Sequence, residues 1–169
     1  MPFLGYNIFE FMEFKVGDLV IHCRDGLSRI SAMKNIDGSD FFVVISNRSE
    51  SETIYVPLSR ASAIIRPIMN KEEADDLFAY MNTITFDFNK NTKQRRDLFK
   101  KKLNSGDVKE LSYLFRQNYL YKKHPGEVRL GPVDLDMLNY ASNNFLDEFA
   151  ITYNVPRPIV EDFVYQKFN

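Results

Sequence analysis

Seven cationic side chains, Lys90, Lys93, Arg95, Arg96, Lys100, Lys101 and Lys102, fall within residues 90–102, and Asp97 is the one acid among them. Lysine and arginine at this density suit phosphate, an interaction that weakens as salt rises because it works by releasing counterions. On a helix, Lys93, Arg96 and Lys100 stack on one face, while Arg95, Leu98, Phe99 and Lys102 spread over the others. Phe99 and Leu103 can then dock to a core and leave most of the cations outward. There is a plainer account. Lysines near a helix C-terminus complement its dipole, which fits Lys100-Lys101-Lys102 on a merely solvated helix. On the residues alone both accounts stay open.

A second candidate uses the backbone. Thr53-Ile54-Tyr55-Val56 follows a polar stretch and ends at Pro57, the pattern of a strand at a sheet edge. A free edge accepts a partner strand through main-chain hydrogen bonds; an ordinary paired strand is the alternative. Catalytic chemistry finds few footholds. The sequence holds no phosphate-cradling glycine loop, nucleophile elbow or paired-histidine spacing. His22 beside Cys23 could be imagined as base and nucleophile, but neighbours in a strand point to opposite faces. His124, before Pro125-Gly126, reads as a solvent-facing loop residue. Glu72-Glu73 and Asp75-Asp76 open a helix, where acids favour the positive end of its dipole. One cysteine and two histidines exclude a disulfide framework and a Cys-rich zinc site. No metal or cofactor is expected.

The elements that must position these residues change character at Pro67. Before it, Leu19-Val20-Ile21, residues 27–33, Phe41-Phe42-Val43-Val44-Ile45, Thr53-Ile54-Tyr55-Val56 and Ala63-Ile64-Ile65 read as five short strands. Asp25-Gly26 and Asp37-Gly38 mark tight turns, residues 46–51 suit a hairpin loop, and Pro57 and Pro67 stop strands. The spacing predicts a small barrel of Tudor or SH3 type. After Pro67 the period becomes helical. Asn70-Lys71-Glu72-Glu73 resembles a capping box before Leu77, Tyr80 and Met81. Residues 83–91 read as a linker. A helix over 92–103 ends at Ser105-Gly106, and Asp107 caps the next, with Val108, Leu111, Leu114, Phe115 and Asn118 on one side. His124-Pro125-Gly126 breaks it. Leu130-Gly131-Pro132 leads into a helix carrying Leu135, Leu138, Ala141, Phe145 and Phe149. Pro156 and Pro158 start a last one with Ile159, Phe163 and Val164. The predicted class is α+β: a small N-terminal Tudor/SH3-like five-stranded β-barrel, then a C-terminal all-helical bundle. Residues 1–13 are an extension, 14–68 the barrel domain and 69–169 the helical domain.

Composition supports a folded chain. At 169 residues, with 44% apolar and 27% charged side chains, a packed core is affordable without staples. The net charge of −1 excludes a general polyanion binder, yet residues 71–169 hold fifteen cations and fifteen acids, against seven and eight before them. The aromatic amino terminus has no basic region, and Glu10 and Glu13 interrupt it, so export is not expected. No apolar run reaches membrane-span length, and a cytoplasmic location is expected.

Several local patterns resemble one family in its own order. Phe14-Lys15-Val16-Gly17-Asp18-Leu19-Val20 resembles the opening of CarD/CdnL transcription regulators and the matching domain of transcription-repair coupling factor. Ile54-Tyr55-Val56-Pro57 is similar to the family strand ending in Val-Pro. Leu103-Asn104-Ser105-Gly106-Asp107 is similar to the CarD Leu-x-Ser-Gly-Asp junction. Leu130-Gly131-Pro132-Val133-Asp134, with Leu138, Ala141, Glu148 and Ala150, resembles the Leu-Ser-x-x-Glu helix. The resemblance implies a transcription regulator of two parts and no enzymatic activity. The Tudor-like domain would bind the RNA polymerase β subunit by strand pairing along Thr53, Ile54, Tyr55 and Val56. The helical domain would contact promoter DNA, mostly its phosphate backbone, through Lys90, Lys93, Arg95, Arg96, Lys100, Lys101 and Lys102, and keep the transcription bubble open. Arg95 matches a family arginine.

Two departures bear on this. CarD proteins place a tryptophan at the start of the basic helix, where it wedges at the DNA fork; this chain has no tryptophan, and Thr92 stands there. Either Phe86 or Phe88 replaces the wedge, or phosphate contacts act without one; burial of both between linker and bundle is the plainer account. Tyr55 stands where a basic residue is common in the polymerase contact. The alternatives are a protein–protein adaptor that makes no DNA contact, and a small enzyme with a pocket lined by His22 or paired carboxylates. A monomer is expected, with no membrane partner.

Overall fold

The structure is a computed structural model that describes residues 14–169, so the expected extension over residues 1–13 lies outside the described residues. The chain divides into two compact units, one ending at Ile68 and the other spanning Met69–Asn169.

The first unit is built on five strands: β1 Leu19–His22, β2 Gly26–Ile36, β3 Ser39–Ser46, β4 Ser49–Pro57 and β5 Ile65–Pro67. Every pairing is antiparallel, in the order β4-β3-β2-β1-β5. Turn chemistry sets the register. Asp37 and Gly38 have φ of 51° and 84°, so the β2–β3 hairpin closes on two residues of positive φ, whose twist matches that of the strands. The polar stretch expected to form a loop is mostly strand. Asn47-Arg48 makes the turn, Ser46 pairs with Ser49, and the register then shifts so that Ile45 opposes Thr53.

The sheet does not close. β4 and β5 lie at opposite edges, so the expected barrel is met as an open five-stranded antiparallel sheet. The last strand was expected to begin at Ala63, but a 3-10 turn, Leu58–Arg60, runs into the short helix α1, Ala61–Ile64. Ala61, Leu58 and Ile64 pack on the apolar face formed by Val20, Ile30, Phe42, Val44, Val56 and Ile65. Burying these side chains on that face outweighs the strand propensity of the segment, and only three residues remain for β5.

The second unit holds five helices: α2 Lys71–Met81, α3 Thr92–Ser105, α4 Val108–Lys123, α5 Pro132–Thr152 and α6 Arg157–Tyr165. Their ends are written in the sequence. Asn70 and Glu73 exchange side-chain to backbone bonds of 2.8 Å in a capping box. Asn91 and Asp107 each accept the amide three residues on, at 3.0 Å. Gly106 ends α3 at φ 67°, a left-handed position that suits glycine. One core gathers Phe78, Met81, Phe115, Phe145, Phe149, Val160, Val164 and Phe168; a second gathers Phe99, Leu114, Leu130, Leu138 and Ala141. Helix α4 serves both and is buried without a break from Leu114 to Leu120. This exceeds the single stripe its periodicity predicts, because the segment between α2 and α3 lies across it. Gln117 donates to the Thr85 carbonyl at 2.7 Å and accepts the Asp87 amide at 3.2 Å, while the Tyr113 hydroxyl donates to the Asp87 carbonyl at 3.3 Å.

Candidate functional site

The basic helix α3 has a thin apolar side: Phe99 and Arg95 are its buried residues. Arg95 is 3% exposed and spends its guanidinium inside the fold. Nε and Nη2 donate to the two carboxylate oxygens of Asp134 at 3.2 and 3.0 Å, and Nη1 donates to the Asn89 carbonyl at 2.8 Å. Asp134 also accepts the Gly131 amide at 3.0 Å, which caps α5. Arg96 stands 3.5 Å away, an ionic contact rather than a hydrogen bond. Burial pushes the Asp134 carboxyl up, but the bonds from Arg95 and Gly131 and the charges of Arg95 and Arg96 outweigh it. The carboxyl stays below its ordinary value.

This arrangement sorts the seven cations. Arg95 is a correction, since a buried and bidentate guanidinium cannot face phosphate; it anchors the helix instead. Lys102 donates to Glu110 at 2.6 Å and lies 4.4 Å from the Tyr113 ring centre. Lys90, Lys93, Lys100 and Lys101 are exposed, and none makes an ion pair or hydrogen bond among the described residues. Lys93, Asp97 and Lys101 fall at intervals of four, so an exposed acid interrupts the lysine face.

The phenylalanines expected as a wedge are half-buried and engaged. Phe86 stacks on His124 with ring centres 4.7 Å apart; Phe88 meets Phe99 and Tyr121 edge-on at 6.2 and 6.0 Å. His124, expected to face solvent, is itself half-buried in this stack, and its Nδ1 lies 3.0 Å from Glu127.

In the first unit, β4 pairs with β3 alone and leaves its other edge without a strand partner among the described residues. Thr53 is exposed, Ile54 half-buried, and Tyr55 44% exposed. Val56 turns its side chain fully into the core and offers only its backbone. The Tyr55 ring stands edge-on to Phe41 at 6.4 Å, with Lys34 Nζ 5.8 Å from its centre. The edge therefore presents main chain together with a propped aromatic ring.

The histidine and cysteine positions do not assemble a catalytic pair. His22 is buried, and its Nδ1 lies 3.3 and 3.2 Å from the amides of Arg24 and Asp25, so it closes the turn after β1. Burial holds its pKa below the ordinary value, and burial also pushes the Cys23 thiol up, away from thiolate reactivity. Among the described residues no group of three histidine, cysteine or acidic side chains could hold a metal ion, and no helix is long and apolar enough to cross a membrane.

A short open sheet with a free edge and an exposed aromatic, and without convergent acid–base groups among the described residues, is the make-up of an interaction module. Residues 14–69 match the family model of the CarD-like/TRCF RID domain. The chain thus carries a CarD-like RNA polymerase-interacting domain, a non-catalytic kind of domain. A comparison with curated proteins found no match.

The sequence offers Asp134 only within the Leu130-Gly131-Pro132-Val133-Asp134 resemblance and marks no role for Gln117. Asp134 had a signal, since Gly131-Pro132-Val133-Asp134 places an acid three residues after a cap, but nothing local marks its partner thirty-nine residues away. Gln117 carries no signal at all.

Proposed function

We propose that this protein is a transcription regulator that docks on the RNA polymerase β subunit through β4 and touches promoter DNA through α3, favouring the open promoter complex. It acts as a binding protein and not as an enzyme. Support for the docking half is the RNA polymerase-interacting domain together with the unpaired β4 edge and Tyr55. The observation that carries the DNA half is the set of four exposed and unanswered lysines, Lys90, Lys93, Lys100 and Lys101, on a helix pinned by Arg95 and Asp134. With Phe86 and Phe88 packed away, contact is to phosphates. A ligand that binds the open complex more tightly than the closed one shifts the population toward it by that difference in affinity.

The test is co-purification with polymerase followed by forked-DNA binding over a salt series. Lys93→Glu, Lys100→Glu and Lys101→Glu together are expected to weaken fork binding and to lower the salt slope by about three. Unchanged affinity and slope would remove the DNA half and leave the polymerase half standing.

A second reading treats the helical unit as a protein-binding adaptor. It is favoured by Ile159 and Phe163, one turn apart on α6 and 54% and 38% exposed. Retained partner capture without any salt-sensitive DNA binding is its signature.

A further inference from the structure

Arg116, midway along α4, is 5% exposed, yet no carboxylate among the described residues answers it. Its Nε–H reaches the Ile84 carbonyl at 3.4 Å, and its Nη1 has no hydrogen-bond partner among the described residues. What surrounds the guanidinium is aromatic: its central carbon lies 4.6 Å from the Phe168 ring centre and 5.3 Å from that of Tyr119. Burial lowers its pKa, but from so high a starting value that the charge persists at neutral pH.

Lys109 and Lys123 stand seven residues to either side of it, and seven residues are nearly two whole turns, so the three share one face of α4. Both lysines are exposed and each lies over a tyrosine. Lys109 Nζ is 5.1 Å from the Tyr80 ring centre and Lys123 Nζ is 5.5 Å from that of Tyr119. Neither makes an ion pair among the described residues. Four other cations of this unit are answered: Lys102 by Glu110, Lys122 by Glu161, Arg157 by Asp147 and Lys167 by Asp75. Lys122, next to Lys123, is thus neutralised, while the line of three stays positive.

We propose that the face of α4 bearing Lys109, Arg116 and Lys123 is a second phosphate-binding ridge, which takes the phosphodiester backbone of a nucleic acid. It deepens the nucleic-acid reading above but uses a different helix. Three charges at two-turn intervals span about 21 Å, the length of roughly six base-pair steps at ~3.4 Å each, which suits a regular linear polyanion better than a single carboxylate. Lys109 and Lys123 make the contacts. The uncancelled charge of Arg116, in a weakly screening interior, adds a positive field between them. The ring faces hold both lysine heads in place, so less rotamer freedom is lost on binding.

The experiment measures anisotropy of a labelled short duplex with the full chain across a salt series, comparing Lys109→Glu/Lys123→Glu with the triple reversal on α3. The α4 pair is expected to weaken binding at least tenfold at low salt and to lower the slope by about two. Arg116→Lys, which keeps the charge, is expected to bind as the parent does; Arg116→Gln is expected to weaken binding, with melting curves confirming that it folds. If the α4 reversals change neither affinity nor slope while the α3 reversals do, the ridge is refuted and the α3 reading survives. The opposite pattern sustains the ridge and removes α3. Displacement of the duplex by polyglutamate as readily as by unlabelled duplex would overturn the assignment to phosphate.

Discussion

Asp134, third residue of α5, grips Arg95, fourth residue of α3, through two hydrogen bonds of 3.2 and 3.0 Å in which the carboxylate is wholly shielded from solvent. The lysine-bearing helix is therefore held by a buried ion pair as much as by Phe99. Removing one partner strands a buried charge, at a cost of about 3–5 kcal/mol. Asp134→Ala is expected to lose that much in denaturant unfolding. The double variant Arg95→Met/Asp134→Leu is expected to recover much of the loss, because an apolar pair leaves no charge behind. Additive losses in the double-mutant cycle would show that the two residues are not coupled.

The same pair shapes the acid limb. The folded Asp134 carboxyl lies below its ordinary value of 3.8, so it binds protons less readily than in the unfolded chain. Stability from this group is fully present above about pH 4 and is lost as pH falls through the folded value. Melting temperature measured downward from neutral pH is expected to drop on entering that range. Asp134→Asn is expected to start lower and fall less steeply there. Asp75 and Glu161 are also lowered, by hydrogen bonds to Tyr153 and Lys167 and, against burial, by Lys122, but at their exposure they add little.

How much of this was legible in the sequence depends on the range over which each signal acts. Caps and tight turns are local, and Asn70, Asp107 and Gly106 stand where the residue types placed them. The five strands were also legible in outline, apart from residues 46–51, read as a loop but mostly strand, and the segment around Ala63, where packing of Ala61 and Ile64 on the sheet overrode a β-branched run. Long-range pairing was not legible. Phe99, four residues on, puts Arg95 on the docking face, but nothing in residues 90–102 names Asp134 as its partner. Whether Phe86 and Phe88 are a wedge or buried stayed open in the sequence, because a linker pattern carries no information about Gln117 and Tyr113 beneath it.

The β4 edge allows a test of backbone docking that leaves side chains aside. Along an antiparallel strand successive amides alternate, one toward the neighbour and the next outward. Of Thr53→Pro and Ile54→Pro, one therefore removes an amide bonded to β3 and destabilises the sheet, while the other removes an outward amide and leaves the fold intact. The variant that keeps the parent melting temperature is expected to lose polymerase capture. Full capture by that variant would mean that the partner does not add a strand to β4. Tyr55→Ala, which leaves the backbone unchanged, separates the contribution of the exposed ring, and is expected to weaken capture without abolishing it.

Asp97 offers the finest test of the α3 surface. It is exposed between Lys93 and Lys101, each four residues away, with no hydrogen bond or ion pair among the described residues. A carboxylate there subtracts from the potential that three lysines present and repels any phosphate brought against them. Asp97→Asn keeps the shape and removes the charge, and at an exposed helix position it is expected to change stability by well under about 1 kcal/mol. Duplex affinity at low salt is expected to rise severalfold. The gain is expected to shrink as salt rises, because screening at 0.15 M already limits exposed charges to about 8 Å. If DNA instead binds on another face, the substitution leaves affinity unchanged at every salt concentration. If Asp97 accepts a hydrogen bond from a base amino group, the substitution lowers affinity for sequences that carry that group while raising it for others. The salt series and the sequence comparison together separate these outcomes.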